Sequence, residues 1–383
     1  MTREIFYLLG LLLGGGLAIQ WLLGTSSGEA WKTDPAYQQA CEGPPLRTLE
    51  ARDQALTDGY QILGQFDCRS KESHREIEQQ KLRQTARAAE QRQPKPAQAG
   101  PARLPLAQER RLFTTQVRVR IPVQPLPNPP PDWFVKVEYP SAGGLVLPAF
   151  VTPDPRDGER RPAIIWLTGG DSNSLDDFWV EGPPSNDQSA APLRKAGLVM
   201  MFPTLRGGNG HPSGKEFFYG EVDDVLAAAD FLAAQPQVDP DQIYLGGHSS
   251  GATLALLVAE TSPRFKAVFA FGPVARIDRY GQSLLPPELL NPASGEVKRR
   301  SPIHWLDDIG SPTFVLEGSQ SPNQGEVEAL RAASRNQHLT CLTIPGRDHF
   351  SLLAPATTRI AARILSTPAG DPFRLPDPAD FAP

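Results

Sequence analysis

Between residues 133 and 366, short runs of apolar residues alternate with segments whose apolar side chains recur at helical spacing. The runs at Ala163–Leu167, Leu198–Pro203 and Lys266–Phe271 are short, almost wholly apolar and free of alternation. Strands of this kind are buried on both faces, as in parallel sheets whose connecting helices cover the two sides. The chain is therefore predicted to form an α/β fold with a mostly parallel, doubly wound sheet and helices on both faces.

The other predicted elements fit this architecture. Phe134–Tyr139 and Gly144–Val151 alternate apolar and polar residues, which predicts an antiparallel hairpin. Apolar residues of Glu221–Gln235 fall on one helical face. Further strands are predicted at Gln242–Gly246, Thr313–Glu317 and Thr340–Ile344, and further helices at Ala252–Glu260, Glu326–Ser334 and Thr357–Leu365.

The first third of the chain has a different composition. The chain contains 40 prolines among 383 residues, roughly twice the average share, and several of them cluster between residues 94 and 131. We predict a helical and proline-rich linker over 31–132, including a strand at Phe113–Val123, then a folded domain over 133–370 and a tail over 371–383. The apolar-rich segment 274–311 is expected to form a cap inserted into that domain.

The N-terminal run Ile5–Gly24 carries no charge and is long enough to cross a bilayer as a helix. An uncleaved anchor over 1–30 is favoured over a cleaved signal, although Gly28-Glu29-Ala30 offers small residues at a cleavage site. The rest of the chain is expected to be membrane-anchored outside the cytosol, or secreted or periplasmic if the segment is cleaved. Whether Cys41 and Cys68 pair in that oxidising compartment stays open.

Charge and cysteine content exclude several classes of protein. A formal net charge of −5 gives no broad basic surface for nucleic acid. Three cysteines cannot build a disulfide-rich scaffold, and none has the spacing of zinc ligands. We expect no metal, no organic cofactor and no nucleic-acid partner.

The motif Gly247-His248-Ser249-Ser250-Gly251 lies between a predicted strand and a predicted helix. A strand–turn–helix with this GxSxG pattern is a nucleophile elbow, in which a tight turn lifts the serine hydroxyl off the edge of the sheet. Glycine on both sides of the turn accommodates the crowded backbone. Ser249 is the predicted nucleophile.

A serine hydroxyl needs a base to take its proton, and the charge on the attacked carbonyl oxygen needs two hydrogen-bond donors. His349 follows a predicted strand and precedes the last predicted helix. It also comes after the serine in the sequence, which is the order that accompanies a nucleophile elbow of this kind. His349 is the predicted base. The predicted donors are the backbone N–H groups of Ser250 and Gly170, with Gly169 as second choice for the latter.

Residues 133–366 resemble the α/β-hydrolase superfamily, in particular its prolyl-oligopeptidase-like (peptidase family S9 type) and dienelactone-hydrolase-like branch. The stretches that carry the resemblance are RPAIIWLTGG, FPTLRGGNG, FYGEVDDVLAAADFLAAQPQVDPDQIYLGGHSSG, SPIHWLDDIGSPTFVLEG and IPGRDHFSLLAP. The resemblance implies an α/β-hydrolase catalytic domain that acts as a serine peptidase or a carboxylic ester hydrolase.

The sequence departs from this family at the third catalytic position. Typical relatives carry His-Gly-x-x-Asp after the seventh strand, and the resemblance implies that this aspartate orients the histidine. Here Glu317 stands in place of that histidine and Ser321 in place of the aspartate. Glu317 is the predicted acid, Asp278 after the sixth strand is the alternative, and a site without an acid is the third case.

Two functional hypotheses follow. The first is a serine hydrolase that cleaves an ester or amide through an acyl-enzyme intermediate. Its substrate is expected to be a small ester or short peptide, because residues 31–130 are too few for the seven-bladed propeller that gates some relatives, which needs roughly 280 residues. The second is a catalytically weak binding or scaffold protein tethered at the membrane, motivated by the displaced acid. Ester against peptide, the acyl group and the oligomeric state stay open.

Overall fold

The computed structural model describes residues 103–122 and 124–375, in which eight strands form one sheet of order β1-β2-β4-β3-β5-β6-β7-β8. The strands are β1 (Val135–Ser141), β2 (Leu145–Val151), β3 (Arg161–Leu167), β4 (Val199–Pro203), β5 (Val238–His248), β6 (Val268–Phe271), β7 (Thr313–Gly318) and β8 (Leu339–Ile344). β2 runs antiparallel to both β1 and β4, and the pairings from β4 to β8 are parallel. The predicted hairpin and the mostly parallel sheet are confirmed.

Helices cover both faces of this sheet. They are α1 (Leu106–Leu112), α2 (Ala191–Lys195), α3 (Glu221–Ala233), α4 (Ser250–Thr261), α5 (Gly295–Arg299), α6 (Gln324–Ala333) and α7 (Leu353–Ser366). Buried side chains of α3, α4 and α6 share one apolar cluster, and those of α2 and α7 share a second. The doubly wound arrangement therefore has two apolar layers, one on each side of the strands.

Strand β3 explains why the sequence runs were apolar without alternation. Ile165 and Leu167 belong to the layer of α3 and α4, whereas Ile164 and Trp166 belong to the layer of α2 and α7. All four side chains are buried. Successive strand residues point to opposite faces, so a strand covered on both sides needs an apolar residue at every position.

The last helix starts four residues before the predicted Thr357, at Leu353. Pro355 lies in its first turn, where a proline is tolerated because the first N–H groups of a helix have no intrahelical partner. The proline therefore marks the beginning of α7 and does not interrupt it.

Residues 103–122, called the strap from here on, were assigned to the linker but pack on the domain. The predicted strand at Phe113–Val123 is wrong over its described residues, because only Val119 pairs, in an isolated bridge with Lys215. Leu106 is fully buried and Val117 is 4% exposed, and both belong to the α3–α4 layer. The folded domain thus includes residues that precede 133.

Two further boundaries differ from the sequence prediction. In segment 274–311, Leu289 and Trp305 are buried in the same apolar cluster as α4, so these residues fill the core and do not form a separate cap. Phe373, assigned to the tail, is 3% exposed and packs edge-on against Tyr244 and Phe269. In both cases large apolar side chains find a partner surface on the domain.

The predicted membrane segment over 1–30, the linker up to residue 102, Cys41 and Cys68 lie outside the described residues. Within the described part, no helix combines the length and apolarity needed to cross a bilayer. Cys341 lies half-buried in β8, and burial raises the pKa of its thiol to about 11.

Candidate active site

Ser249 lies at the turn between β5 and α4, with backbone angles φ 54° and ψ −115°. Its N–H donates a 2.7 Å hydrogen bond to the carbonyl oxygen of Phe271 at the end of β6. A Cβ atom at Gly251 would lie 2.3 Å from the carbonyl oxygen of Leu167, and one at Gly247 would lie 2.4 Å from that of Gly251. The turn therefore has the geometry of a nucleophile elbow, and its two glycines are required by the closeness of the neighbouring backbone.

His349 and Glu317 are in direct contact. His349 follows β8 and Glu317 lies near the end of β7, so the two neighbouring parallel strands bring them to the same edge of the sheet. The Nδ1 atom of His349 lies 2.9 Å from Oε2 of Glu317. The Glu317 side chain is fully buried and that of His349 is 13% exposed.

This contact determines which ring nitrogen is free. A carboxylate oxygen accepts hydrogen bonds only, so the proton of the neutral imidazole resides on Nδ1 and the lone pair on Nε2. The other Glu317 oxygen, Oε1, accepts a 2.7 Å hydrogen bond from the N–H of Gly318. Glu317 is thus fixed at both oxygens, and the imidazole presents a basic nitrogen on the side away from the acid.

Gly272 forms the surface under the imidazole, a role that the sequence reasoning missed. Its φ is +66°, and a Cβ there would lie 2.4 Å from Cε1 of His349 and 2.8 Å from Oε2 of Glu317. Gly272 directly follows Phe271, which binds the Ser249 N–H. The only sequence signal was a glycine immediately after the sixth strand, and a single sequence cannot reveal which side chain needs that space.

His248 packs beside His349. The two rings are 4.6 Å apart between centroids, and Nε2 of His248 lies 3.2 Å from the carbonyl oxygen of His349. Burial, together with the like charge of His349, lowers the pKa of His248 to about 3. His248 is therefore neutral near pH 7 and donates from Nε2, which holds the loop that carries His349.

The loop Thr168–Asp171 follows β3 and passes the elbow, and it is called the oxyanion loop below. A Cβ at Gly169 would lie 3.3 Å from the Cβ of Ser249. The Ser250 hydroxyl donates a 2.8 Å hydrogen bond to the carbonyl oxygen of Gly170, whose φ is +68°. Among described residues, neither the Gly170 N–H nor the Ser250 N–H has a hydrogen-bond acceptor, so both are available to an oxyanion.

The alternative acid, Asp278, is engaged elsewhere. Its carboxylate accepts a 3.0 Å hydrogen bond from Arg276. Asp348 accepts hydrogen bonds from the N–H groups of Phe350 and Ser351, and these bonds lower its pKa. Asp348 therefore braces the loop next to His349, and Glu317 is the carboxylate in contact with the imidazole.

The Ser249 hydroxyl makes no hydrogen bond to His349 in the described residues, and in unliganded sites such bonds are often long before substrate binds. A cavity of about 290 Å³ adjoins the oxyanion loop, with Thr168, Gly169, Asp171 and Phe178 in its wall. Residues 103–122 and 124–375 contain no group of three or more His, Cys, Asp or Glu side chains arranged for a metal ion.

Comparisons with known proteins agree with this geometry. Residues 184–364 match the prolyl oligopeptidase family. Polyketide transferase ATR5 of Stachybotrys chlorohalonatus (strain IBT 40285) is 29% identical over 140 residues, which cover 36% of this chain and 43% of that protein. A probable chloroplastic glutamyl endopeptidase of Oryza sativa subsp. japonica is 24% identical over 229 residues, covering 54% of this chain and 24% of that protein.

Among solved structures, a Mycobacterium tuberculosis puromycin-hydrolyzing peptidase aligns with a TM-score of 0.48 and 18% identity, covering 61% of this chain and 39% of that one. The chain spans less than half of the length of both curated relatives. The match of residues 184–364 to the prolyl oligopeptidase family confirms the resemblance stated from the sequence motifs.

Proposed function

We propose that this protein is a serine hydrolase that cleaves an ester or amide through an acyl-enzyme intermediate. The observation that carries the proposal is the 2.9 Å contact between His349 Nδ1 and the buried Glu317 carboxylate, next to the elbow of Ser249. A buried acid that fixes the imidazole tautomer is what a serine nucleophile requires of its base. The scaffold hypothesis was motivated by the absence of an acid at the usual position. Because Glu317 contacts His349, that motivation is weaker.

The reaction assigns a role to each residue of the site. The Ser249 Oγ attacks the carbonyl carbon while Nε2 of His349 takes its proton, and the negative charge of Glu317 stabilises the resulting imidazolium. The N–H groups of Gly170 and Ser250 bind the oxyanion. The tetrahedral adduct collapses, His349 returns the proton to the leaving alcohol or amine, and a water activated by the same histidine then releases the acid.

The proposed substrate is a small ester or a short peptide. Ligand pockets are concave with a few placed polar groups, and the cavity of about 290 Å³ next to Thr168 and Gly169 is of a size for a small substrate group. The curated relatives are named a transferase and an endopeptidase, so ester and amide substrates are both to be assayed. We also propose that residues 1–30 attach the enzyme to a membrane with its catalytic domain outside the cytosol, or direct its secretion.

The first experiment is covalent labelling of the full chain with a fluorophosphonate probe, followed by mass spectrometry of the modified peptide. We expect labelling at Ser249 and none in Ser249→Ala. Short-chain aryl esters and aminoacyl anilides then distinguish esterase from peptidase activity. A well-folded chain that is neither labelled nor active on these substrates contradicts the proposal and favours the binding or scaffold function.

A further inference from the structure

An ion pair links the oxyanion loop to a neighbouring loop. The ammonium group of Lys215 contacts the carboxylate of Asp171, the residue that directly follows Gly170. Lys215 is 8% exposed. The same Asp171 oxygen accepts a 3.1 Å hydrogen bond from the Asn173 N–H, which folds the end of the loop back on itself. Asp171 is thus held by its own loop and by Lys215.

The backbone of Lys215 is held by the strap. Val119 and Lys215 exchange two hydrogen bonds, 2.9 and 2.8 Å long, between their N–H and carbonyl groups. Gly207 also lies close to this backbone, because a Cβ there would be 2.5 Å from the backbone nitrogen of Lys215. The main chain of Lys215 is therefore held in place, and its side chain reaches Asp171 from that position.

Residues beyond Asp171 are joined to the same region. The Asn173 side chain donates to the Arg206 carbonyl oxygen at 2.8 Å and to Glu221 at 3.0 Å. The buried Glu221 also accepts the N–H of Glu216, at 2.8 Å. The far end of the oxyanion loop and the chain around Lys215 therefore form one hydrogen-bonded unit, with Lys215 as its contact nearest to Gly170.

We propose that Lys215 is a positioning residue for the oxyanion hole, an inference that rests on the proposed function. It fixes Asp171 and hence the direction of the adjoining Gly170 peptide. The strap is coupled to catalysis through the bridge between Val119 and Lys215.

The pair is a poor candidate for a purely stabilising contact. The Asp171 side chain is 36% exposed, and ion pairs with an exposed partner contribute little to the stability of a fold. A role in catalysis therefore predicts that kcat falls in Lys215→Met, while the thermal unfolding midpoint changes little because the carboxylate left behind is 36% exposed.

The test is Lys215→Met, with Lys215→Arg as the conservative variant and Lys195→Met as the matched control. Lys195 pairs with Glu181, and both side chains are exposed, at 55% and 45%. We expect Lys215→Met to lower kcat by about 10- to 100-fold with KM changed less than about twofold, since a displaced oxyanion donor affects the transition state and not substrate binding. Lys215→Arg should recover most of kcat, and Lys195→Met should match the wild type.

Two further measurements distinguish a positioning role from a nonspecific loss of structure in the variant. The affinity for an alkyl boronic acid, which forms a tetrahedral anion on serine, should fall in parallel with kcat. Asp171→Asn should also lower kcat, and the double variant should lose no more than Lys215→Met alone, because both changes remove one contact. If Lys215→Met fails to fold, Asp171→Asn carries the test.

The outcomes distinguish this inference from the function on which it rests. An active wild type whose kcat is unchanged in Lys215→Met, or in Asp171→Asn, overturns the positioning role and leaves the hydrolase intact. The positioning role is also overturned if the fold-decreases in kcat of the two single variants multiply in the double variant. A wild type without turnover or labelling at Ser249 overturns the proposed function, and this inference with it.

Discussion

At the scale of single residues, the site depends on strained or crowded positions. Ser249 has a positive φ that only a small fraction of non-glycine residues adopt. Such backbone costs about 1–3 kcal/mol and persists only where the surroundings enforce it. Here the enforcing contacts are the hydrogen bond from the Ser249 N–H to Phe271 and the helix that starts at the next residue.

Glu317→Gln tests the acid. The glutamine keeps the shape but cannot stabilise an imidazolium with a negative charge, so we expect kcat to fall by about 10⁴ with little change in KM. Steady-state kinetics on the best ester substrate measures the effect. Asp278→Asn is the matched control and should stay close to the wild type, because Asp278 binds Arg276. The reverse pattern would assign the acid to Asp278.

Gly272→Ala tests the surface under the imidazole. The added methyl group would overlap Cε1 and Nδ1 of His349, at 2.4 and 2.5 Å, so the ring must move, and a displacement of about 1 Å costs about 10² in rate. Gly281→Ala is the matched control, since Gly281 has φ +62° but open space around a Cβ. Both variants should lose similar stability, and only Gly272→Ala should lose activity.

His248 makes stability depend on pH. Burial lowers its folded-state pKa to about 3, below the value of about 6.5 in the unfolded chain. Between these values the unfolded state binds more protons, so the free energy of unfolding should decrease as pH falls from 6.5 towards 3. Urea unfolding at pH 7 and pH 4 should show a smaller decrease in His248→Asn. The exposed His338, changed to Asn, is the control, and an unaltered wild-type slope in His248→Asn would contradict the assignment.

At the scale of elements, the sheet and helix α3 are joined by a buried ion pair. Arg206, which follows β4, contacts Asp224 of α3 through Nε and Nη2, each at 2.9 Å. Asp224 is fully buried and also accepts a 2.5 Å hydrogen bond from Ser141 at the end of β1. A single carboxylate thereby connects two parts of the sheet to the helix above them.

Asp224→Asn should therefore destabilise the domain strongly. The change leaves the Arg206 guanidinium, 8% exposed, with Glu216 at 3.1 Å as its remaining charged partner. Breaking a buried pair in this way costs about 3–5 kcal/mol. Asp230→Asn is the control, because Asp230 lies on the same helix, is 76% exposed and pairs with Arg264, so its loss should stay within about 1 kcal/mol. Urea unfolding measures both, and equal losses would contradict the argument.

At the scale of the whole domain, the strap closes one side of the fold. Arg110 donates to the Tyr219 carbonyl oxygen at 2.7 Å, and the Tyr219 hydroxyl donates back to the Phe113 carbonyl oxygen at 2.8 Å. The fully buried Arg300 binds the Thr115 hydroxyl at 2.6 Å. The strap is thus fastened along its length by polar contacts as well as by its apolar residues.

Leu106→Ala tests whether the strap belongs to the cooperative unit. Leu106 is fully buried, and removing such a side chain costs about 2–5 kcal/mol. Leu112 lies on the same helix but is 77% exposed, so Leu112→Ala should change the free energy of unfolding by at most about 0.5 kcal/mol. A single urea transition shifted only in Leu106→Ala is the expected result. A wild-type midpoint for Leu106→Ala would mean that the strap unfolds separately.

Local sequence patterns were enough to predict the sheet, the hairpin and the turn at Ser249. Apolar runs such as Ala163–Leu167 report burial on both faces, and the two glycines around Ser249 report a tight turn. The sequence also indicated Glu317 as the candidate acid, through its place at the end of a strand. That role remains a proposal.

Which groups meet across long sequence separations depends on how the whole domain folds. The strap lies against Lys215, Gly272 lies under His349, and the apolar residues of 274–311 fill the core beside α4. A proline-rich or apolar segment has the same local pattern whether it extends into solvent or packs on a domain. The difference depends on a partner surface that forms only when residues far apart in the sequence fold together, so no local pattern encodes it.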